Sequence, residues 1–176
     1  MAILNIPDQL TSIADPGQIK TFLNERGIWF DQWTAGETLA VDADQETVLH
    51  AYRNVLEPFM NKNNYQVADV ININDTTPNY NAIREKFLHE HQHTEDEVRF
   101  FVEGKGYFWF NLDNGTDPVF NVLCEAGDLI SVPANTRHWF DAGKEKPFVK
   151  AIRIFIDQSG WVPHYTGSEI DLRYSK

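Results

Sequence analysis

The sequence predicts a mainly β protein: an antiparallel sandwich or barrel with a few helices packed outside, mostly from the N-terminal third. Three observations predict it. From about Phe87 onward, short runs of β-branched and aromatic residues alternate at close spacing with turns rich in Gly, Asn and Asp. Helical periodicity is concentrated in the first third. Aromatic residues make up 13% of the chain, and most fall in the strand-like runs.

The elements follow in order. Asp15-Pro16-Gly17-Gln18 offers an N-cap, a proline at N1 and a glutamine at N3. Ile19, Phe22 and Leu23 then share one helical face, and Gly27 is a stop. A second helix starts at Asp44, with Val48, Ala51, Tyr52, Val55 and Phe59 on its apolar side. Pro58 and the Lys62-Asn63-Asn64 cluster are expected to end it. Thr77-Pro78 is expected to cap a short third helix carrying Ala82 and Ile83. Tyr65 to Ile73 reads as a strand. Val98–Val102 and Tyr107–Leu112 read as a hairpin turning at Glu103-Gly104-Lys105-Gly106. Val119–Leu123, Leu129–Val132, Arg137–Phe140 and Phe148–Ile156 complete the series, with turns at 113–118 and 125–128.

The 176 residues suit one domain, 1–176, with a largely helical part over 1–64 and a β-core and tail over 65–176. A net charge of −11 argues against nucleic acid or an anionic membrane as partner. No apolar run reaches the ~18 residues a membrane helix needs. The start, Met1 to Asp8, lacks a basic and apolar leader pattern. The single cysteine, Cys124, is expected to be a buried small hydrophobe in a reducing compartment. These features together suggest a cytoplasmic protein. Oligomeric state is not legible, and a monomer is the default expectation.

The chemistry concentrates in two segments, His91-Gln92-His93-Thr94-Glu95-Asp96-Glu97 and Pro133-Ala134-Asn135-Thr136-Arg137-His138. Imidazoles and a carboxylate suit a divalent transition metal. His91, His93 and Glu97 share one parity, so a single extended segment would aim all three to one side. His138 would arrive from a second strand. Four ligands leave about two places open on a six-coordinate ion. His89 and Glu95 share the same parity, so register alone does not exclude them. His50 falls off the apolar helix face, and His164 lies in the tail without a role. No Ser-His-Asp pattern, glycine-rich phosphate loop or Cys-x-x-Cys pair competes.

These residues carry a resemblance. His91-x-His93-x3-Glu97-x6-Gly104 resembles the first motif of the cupin superfamily, and Gly127-x5-Pro133-x4-His138 resembles the second. Asn135 stands where a glycine is usual, and Ala142 where an asparagine is frequent. Within that superfamily, Glu90-His91-x-His93-x-Glu95-Asp96-Glu97-Val98-Arg99-Phe100 is similar to the acireductone dioxygenases. So are Leu129-Ile130-Ser131-Val132-Pro133-x3-Arg137-His138-Trp139-Phe140-Asp141 and Ala151-Ile152-Arg153-Ile154-Phe155. The similarity runs from Phe87 to Gly167.

The resemblance implies a cupin double-stranded β-helix, or jelly-roll barrel, with Fe(II) or Ni(II), one per chain, held by His91, His93, Glu97 and His138. It implies O2-dependent cleavage of the methionine-salvage acireductone 1,2-dihydroxy-3-keto-5-methylthiopentene. Iron members give formate and 4-methylthio-2-oxobutanoate; nickel members give carbon monoxide, formate and 3-methylthiopropanoate. Arg99, two residues beyond Glu97, faces the same side in a regular strand, and its charge suits an enediolate. Glu97 and Arg99 are therefore the candidate catalytic pair; the alternative for Arg99 is an ion pair with Glu95 or Asp96. Arg153, Phe87 and Phe140 are candidate substrate contacts, and Trp139 is a further aromatic flanking the ligands. The rival readings are a non-catalytic cupin that binds a metal or small ligand, and a cupin sugar isomerase.

Overall fold

Side chains alternate across a strand, so a strand with apolar residues on both faces must be covered on both. That rule organises this computed structural model, which describes residues 1–40, 42–157, 159 and 161–174. The elements are β1 (Ile3–Ile6), β2 (Thr11–Ile13), α1 (Pro16–Asn24), β3 (Trp29–Gln32), α2 (Gln45–Asn63), β4 (Val67–Ile73) and α3 (Tyr80–Leu88). They continue as β5 (His91–Gln92), β6 (Glu97–Phe110), β7 (Phe120–Glu125), β8 (Asp128–Val132), β9 (His138–Asp141), β10 (Val149–Phe155), β11 (His164–Tyr165) and α4 (Asp171–Tyr174). One antiparallel sheet runs β2-β1-β7-β6-β9-β5-β11, and a second runs β4-β10-β6-β8-β3.

β6 belongs to both sheets. Glu97 to Phe100 pair with β8 and Val98 to Gly104 with β10, whereas Lys105 to Phe110 pair with β7. The expected hairpin at 103–106 is therefore not a turn but a bend within one long strand. Gly104 has φ +73°, and a Cβ there would stand 1.9 Å from the Phe148 carbonyl oxygen. At Gly106 a Cβ would stand 2.4 Å from the Phe140 ring. These glycines let one strand pass close against its neighbours while it changes sheets. A β-bulge between Lys150 and Ala151 takes up the extra residue.

Two apolar cores result. Leu4, Phe101, Phe108, Phe110, Phe120, Val122 and Phe140 fill the space between the sheets. Val48, Ala51, Tyr52 and Leu56 of α2 cover Val98, Phe100, Leu129, Ile152 and Ile154 on the outer face of the second sheet. Each such large side chain contributes about 1.5–3 kcal/mol through burial. Because Val98 and Phe100 face α2, Glu97 and Arg99 between them face inward.

The helices lie outside the sheets. α1 opens as expected, with the Asp15 carboxylate accepting from the Gln18 amide at 2.8 Å. α2 opens at Asp44 as expected but continues through Pro58 to Asn63. Pro58 is solvent-exposed, so water can take over the carbonyl that loses its partner. α2 ends at Asn64, which has φ +60°. α3 is not capped by Thr77-Pro78: it starts after Asn79, and the Thr77 hydroxyl accepts from the Asn74 amide instead. It also takes in Phe87, where β-structure was expected to begin. The Arg84 guanidinium ties α3 to Asp141 of β9 through two 2.8 Å bonds. The described residues of 1–64 also hold three strands, each too short to show a period.

Candidate metal centre

β5 and β9 pair with His91 directly opposite His138, which brings their rings to 4.7 Å between centroids. His93 follows just past β5. The chain then bends at Thr94 and Glu95 and enters the second sheet at Glu97. The expected single extended segment is thus two segments joined by a bend, and the shared parity of His93 and Glu97 is not what aims them. The two sheets converge here, and the convergence brings the groups together. One donor atom from each of His91, His93, Glu97 and His138 lies within 4.8 Å of the others. All four residues are 3% exposed or less.

The imidazoles are oriented by backbone carbonyls. The Nδ1–H of His91 donates to the His89 carbonyl at 2.7 Å, that of His93 to Val162 at 2.8 Å and that of His138 to Thr136 at 2.8 Å. This assignment follows from the partners, since a carbonyl only accepts. Each ring, once its Nε2 carries no proton, then presents that lone pair to the centre. Glu97 Oε2 lies 3.0 Å from His93 Nε2 and 3.2 Å from His138 Nε2. His91 Nε2 is buried with no hydrogen-bond partner among the described residues. Converging lone pairs and a carboxylate repel one another unless a cation lies among them, so the donor set fits a metal ion.

The electrostatics agree. Burial, followed by His138, pushes His91 down to about 3, so it stays neutral. Burial also works to lower His93, but contact with the Glu97 carboxylate and the Val162 carbonyl outweigh it and leave His93 raised. Burial works to raise Glu97, yet Arg99 and the imidazoles of His138 and His93 hold its carboxyl well below the usual range.

Arg99 Nη2 donates to Glu97 Oε1 at 2.8 Å, so its carboxylate partner is Glu97 rather than Glu95 or Asp96. Its Nε is buried without a hydrogen-bond partner among the described residues. Its guanidinium lies 4.2 Å from the Phe140 ring centroid and 5.6 Å from Trp161. Phe87 of α3 has its ring 6.2 Å from His91. Arg153 is held by Asp69, with Nε 2.8 Å from Oδ1 and Nη2 2.5 Å from Oδ2. A groove of about 370 Å³, lined in part by Asp69, Arg153, Phe155 and Trp161, opens beside this pair.

Trp139 points away from the centre, as alternation along β9 requires, and stacks on Trp109 at 5.6 Å with planes 3° apart. His89 caps the end of α3 and turns to Asp171, with Nδ1 3.0 Å from Oδ2, outside the donor group. Glu95 is also outside the group. His50 is exposed beside Glu37, and Cys124 is fully buried, with burial pushing its thiol well up. Sequence reasoning missed Trp161 and the Val162 and Thr136 carbonyls. A backbone carbonyl has no residue-type signature, and the Trp161-Val162-Pro163 stretch has no period to read. Asn135, at the usual glycine position, has φ +61°, a conformation asparagine tolerates better than most residues.

A sequence profile described as the ARD/ARD′ family matches residues 6–163. The chain is 59% identical over 174 residues to an acireductone dioxygenase of Picosynechococcus sp. (strain ATCC 27264 / PCC 7002 / PR-6), covering 99% of this chain and 97% of that one. It is 49% identical over 156 residues to one from Granulibacter bethesdensis (strain ATCC BAA-1260 / CGDNIH1), covering 89% and 85% of the two chains. A solved acireductone dioxygenase from Bacillus anthracis, with a cadmium ion in its active center, superimposes with a TM-score of 0.82 at 34% identity. That match covers 94% of this chain and 98% of the other. The expected mainly β cupin architecture is the one observed.

Proposed function

The chain belongs to the ARD/ARD′ family, and from that membership and the four converging donors we propose that it is an acireductone dioxygenase. Its substrates are 1,2-dihydroxy-3-keto-5-methylthiopentene and O2, in methionine salvage. The observation that carries the reading is the buried set of three carbonyl-oriented imidazoles and Glu97, which fits one divalent cation. Cadmium in the active center of the Bacillus anthracis relative supports a metal at this position. We assign Fe(II) or Ni(II), one per chain, because imidazole and carboxylate donors suit both. When bound, the ion supplies Lewis acidity and open places for the two adjacent oxygens of the enediol.

The protein's own groups do the rest. His91, His93 and His138 stay oriented by the carbonyls behind them, so each offers Nε2 without rearrangement. Arg99 holds one oxygen of Glu97 and brings a fixed positive charge into a strongly acidic chain, where it can offset the charge of the enediolate. Phe140, Phe108 and Trp161 around Arg99 limit water access and strengthen that charge interaction. Phe87 and Phe140 are the proposed apolar contacts for the methylthio tail. Arg153, already carrying Asp69, is a contact on the groove side of Trp161. No helix among the described residues is long and apolar enough to cross a membrane; with Cys124 buried and unpaired by any disulfide, we take the setting to be cytoplasmic.

The test is anaerobic addition of the acireductone to iron- or nickel-loaded protein, followed by oxygen. Loss of the enediol absorbance with matching O2 uptake is expected, and the products report the metal. Bound metal with no oxygen-dependent loss of substrate would instead favour a non-catalytic binding protein.

A further inference from the structure

Asp96 sits in the bend between β5 and β6, next to Glu97, and its side chain takes no part in the donor group. It nevertheless touches three other segments. Its Oδ1 accepts from the Ala134 amide at 2.9 Å, and its Oδ2 accepts from the Tyr65 hydroxyl at 2.9 Å. Its backbone carbonyl accepts from Trp161 Nε1 at 3.1 Å. The neighbouring Asn135 amide also donates to the His93 carbonyl at 2.7 Å.

These contacts reach the carbonyls that orient two of the three imidazoles. Ala134 opens the turn closed by the Thr136 amide donating to the Pro133 carbonyl, and the Thr136 carbonyl holds His138 Nδ1. Trp161 immediately precedes Val162, whose carbonyl holds His93 Nδ1. The orienting carbonyl of His91 belongs to His89, which Asp96 does not touch. We propose that Asp96 is a positioning residue for the metal centre: it brackets the 133–138 turn and the Trp161-Val162 segment together, and so sets the orientation of His138 and His93. The proposal rests on the metal reading of the site.

The experiment titrates metal-free protein with Ni(II) and with Co(II), for wild type, Asp96→Ala, Asp96→Asn and Trp161→Phe, with an unfolding midpoint measured for each. Wild type is expected to bind one equivalent; no binding by wild type sinks the metal reading itself. Asp96→Ala is expected to bind Ni(II) about 10- to 100-fold more weakly, the usual effect of removing a group behind a ligand. Its Co(II) complex should show altered visible bands. Asp96→Asn should restore affinity to within about threefold and restore the Co(II) spectrum, because its amide oxygen still accepts from Ala134 and the Tyr65 hydroxyl can accept as well as donate. Equal affinity and equal spectra in wild type and Asp96→Ala would overturn the proposal, as would an Asn variant as weak as the Ala variant. If Asp96→Ala does not fold, Trp161→Phe decides, because it removes the Nε1 donor to the Asp96 carbonyl and keeps all four metal donors: a severalfold loss of Ni(II) affinity with altered Co(II) bands supports the bracket, and wild-type affinity with a wild-type spectrum overturns it.

Discussion

His91 and His138 are direct cross-strand partners of β5 and β9. A single pairing therefore places two of the four donors before any side chain is oriented, and links two sequence segments that neither could anchor alone. His138→Ala removes one of these partners and leaves a void beside His91. The expected outcome is loss of most bound metal after desalting, with turnover lost in parallel. Glu97→Ala should behave likewise and leave Arg99 without its buried carboxylate, which adds about 3–5 kcal/mol of destabilisation. Metal analysis and urea denaturation read both effects.

Arg99→Ala keeps all four donors. Metal stoichiometry at saturation should remain one per chain, while turnover falls by about 10²- to 10³-fold, the range for loss of a group facing developing charge in a dry site. Arg99→Lys should not restore activity, because a point charge does not reproduce a planar guanidinium between Glu97 and the Phe140 ring. Wild-type turnover in Arg99→Ala would make Arg99 purely structural, and wild-type turnover in Arg99→Lys would show that the charge alone suffices.

The metal affinity should rise with pH, but gently. An ion displaces any proton on a ligand, so affinity falls as pH drops through the pKa of a ligand that must give one up. His93, raised above its ordinary value of 6.5, releases a proton in this way. His91 is neutral down to about pH 3 and releases none above it. The slope of log affinity against pH, measured by Ni(II) titration between about pH 5 and 7, should stay below three. A slope of three would mean that every imidazole is protonated in the metal-free protein.

The two glycines of β6 should respond unlike glycines at open turns. Gly104→Ala would push a Cβ into the Phe148 carbonyl at positive φ, and should cost more than about 3 kcal/mol or prevent folding. Gly106→Ala should displace Phe140 from Arg99 and reduce turnover more than stability. Gly115→Ala has open space around it, and its positive φ alone should cost about 1–2 kcal/mol. Thermal denaturation of the three variants checks the order.

The contrast at β6 also explains what was legible beforehand. The mainly β series in the second half and the caps at Asp15 and Asp44 are local patterns, and the structure has them. The Glu103–Gly106 stretch read as a turn because glycine serves both a turn and a close strand crossing, and only the distant partners Phe148 and Phe140 distinguish them. β1 was invisible because four residues are too few to show a period. The parity of His93 and Glu97 singled out residues that do cluster, but through the wrong geometry, since a bend rather than a straight strand joins them. Trp139 drew notice as an aromatic flanking the ligands because it neighbours His138; alternation sends it to the opposite face.

Crystals of the purified protein with Fe(II) or Ni(II), measured at the absorption edge of that metal, test the convergence of the four donors most directly. A single anomalous peak per chain is expected, within coordinating distance of His91 Nε2, His93 Nε2, His138 Nε2 and a Glu97 carboxylate oxygen. A metal-saturated crystal with no peak among these four side chains, or with its metal bound elsewhere, would contradict it.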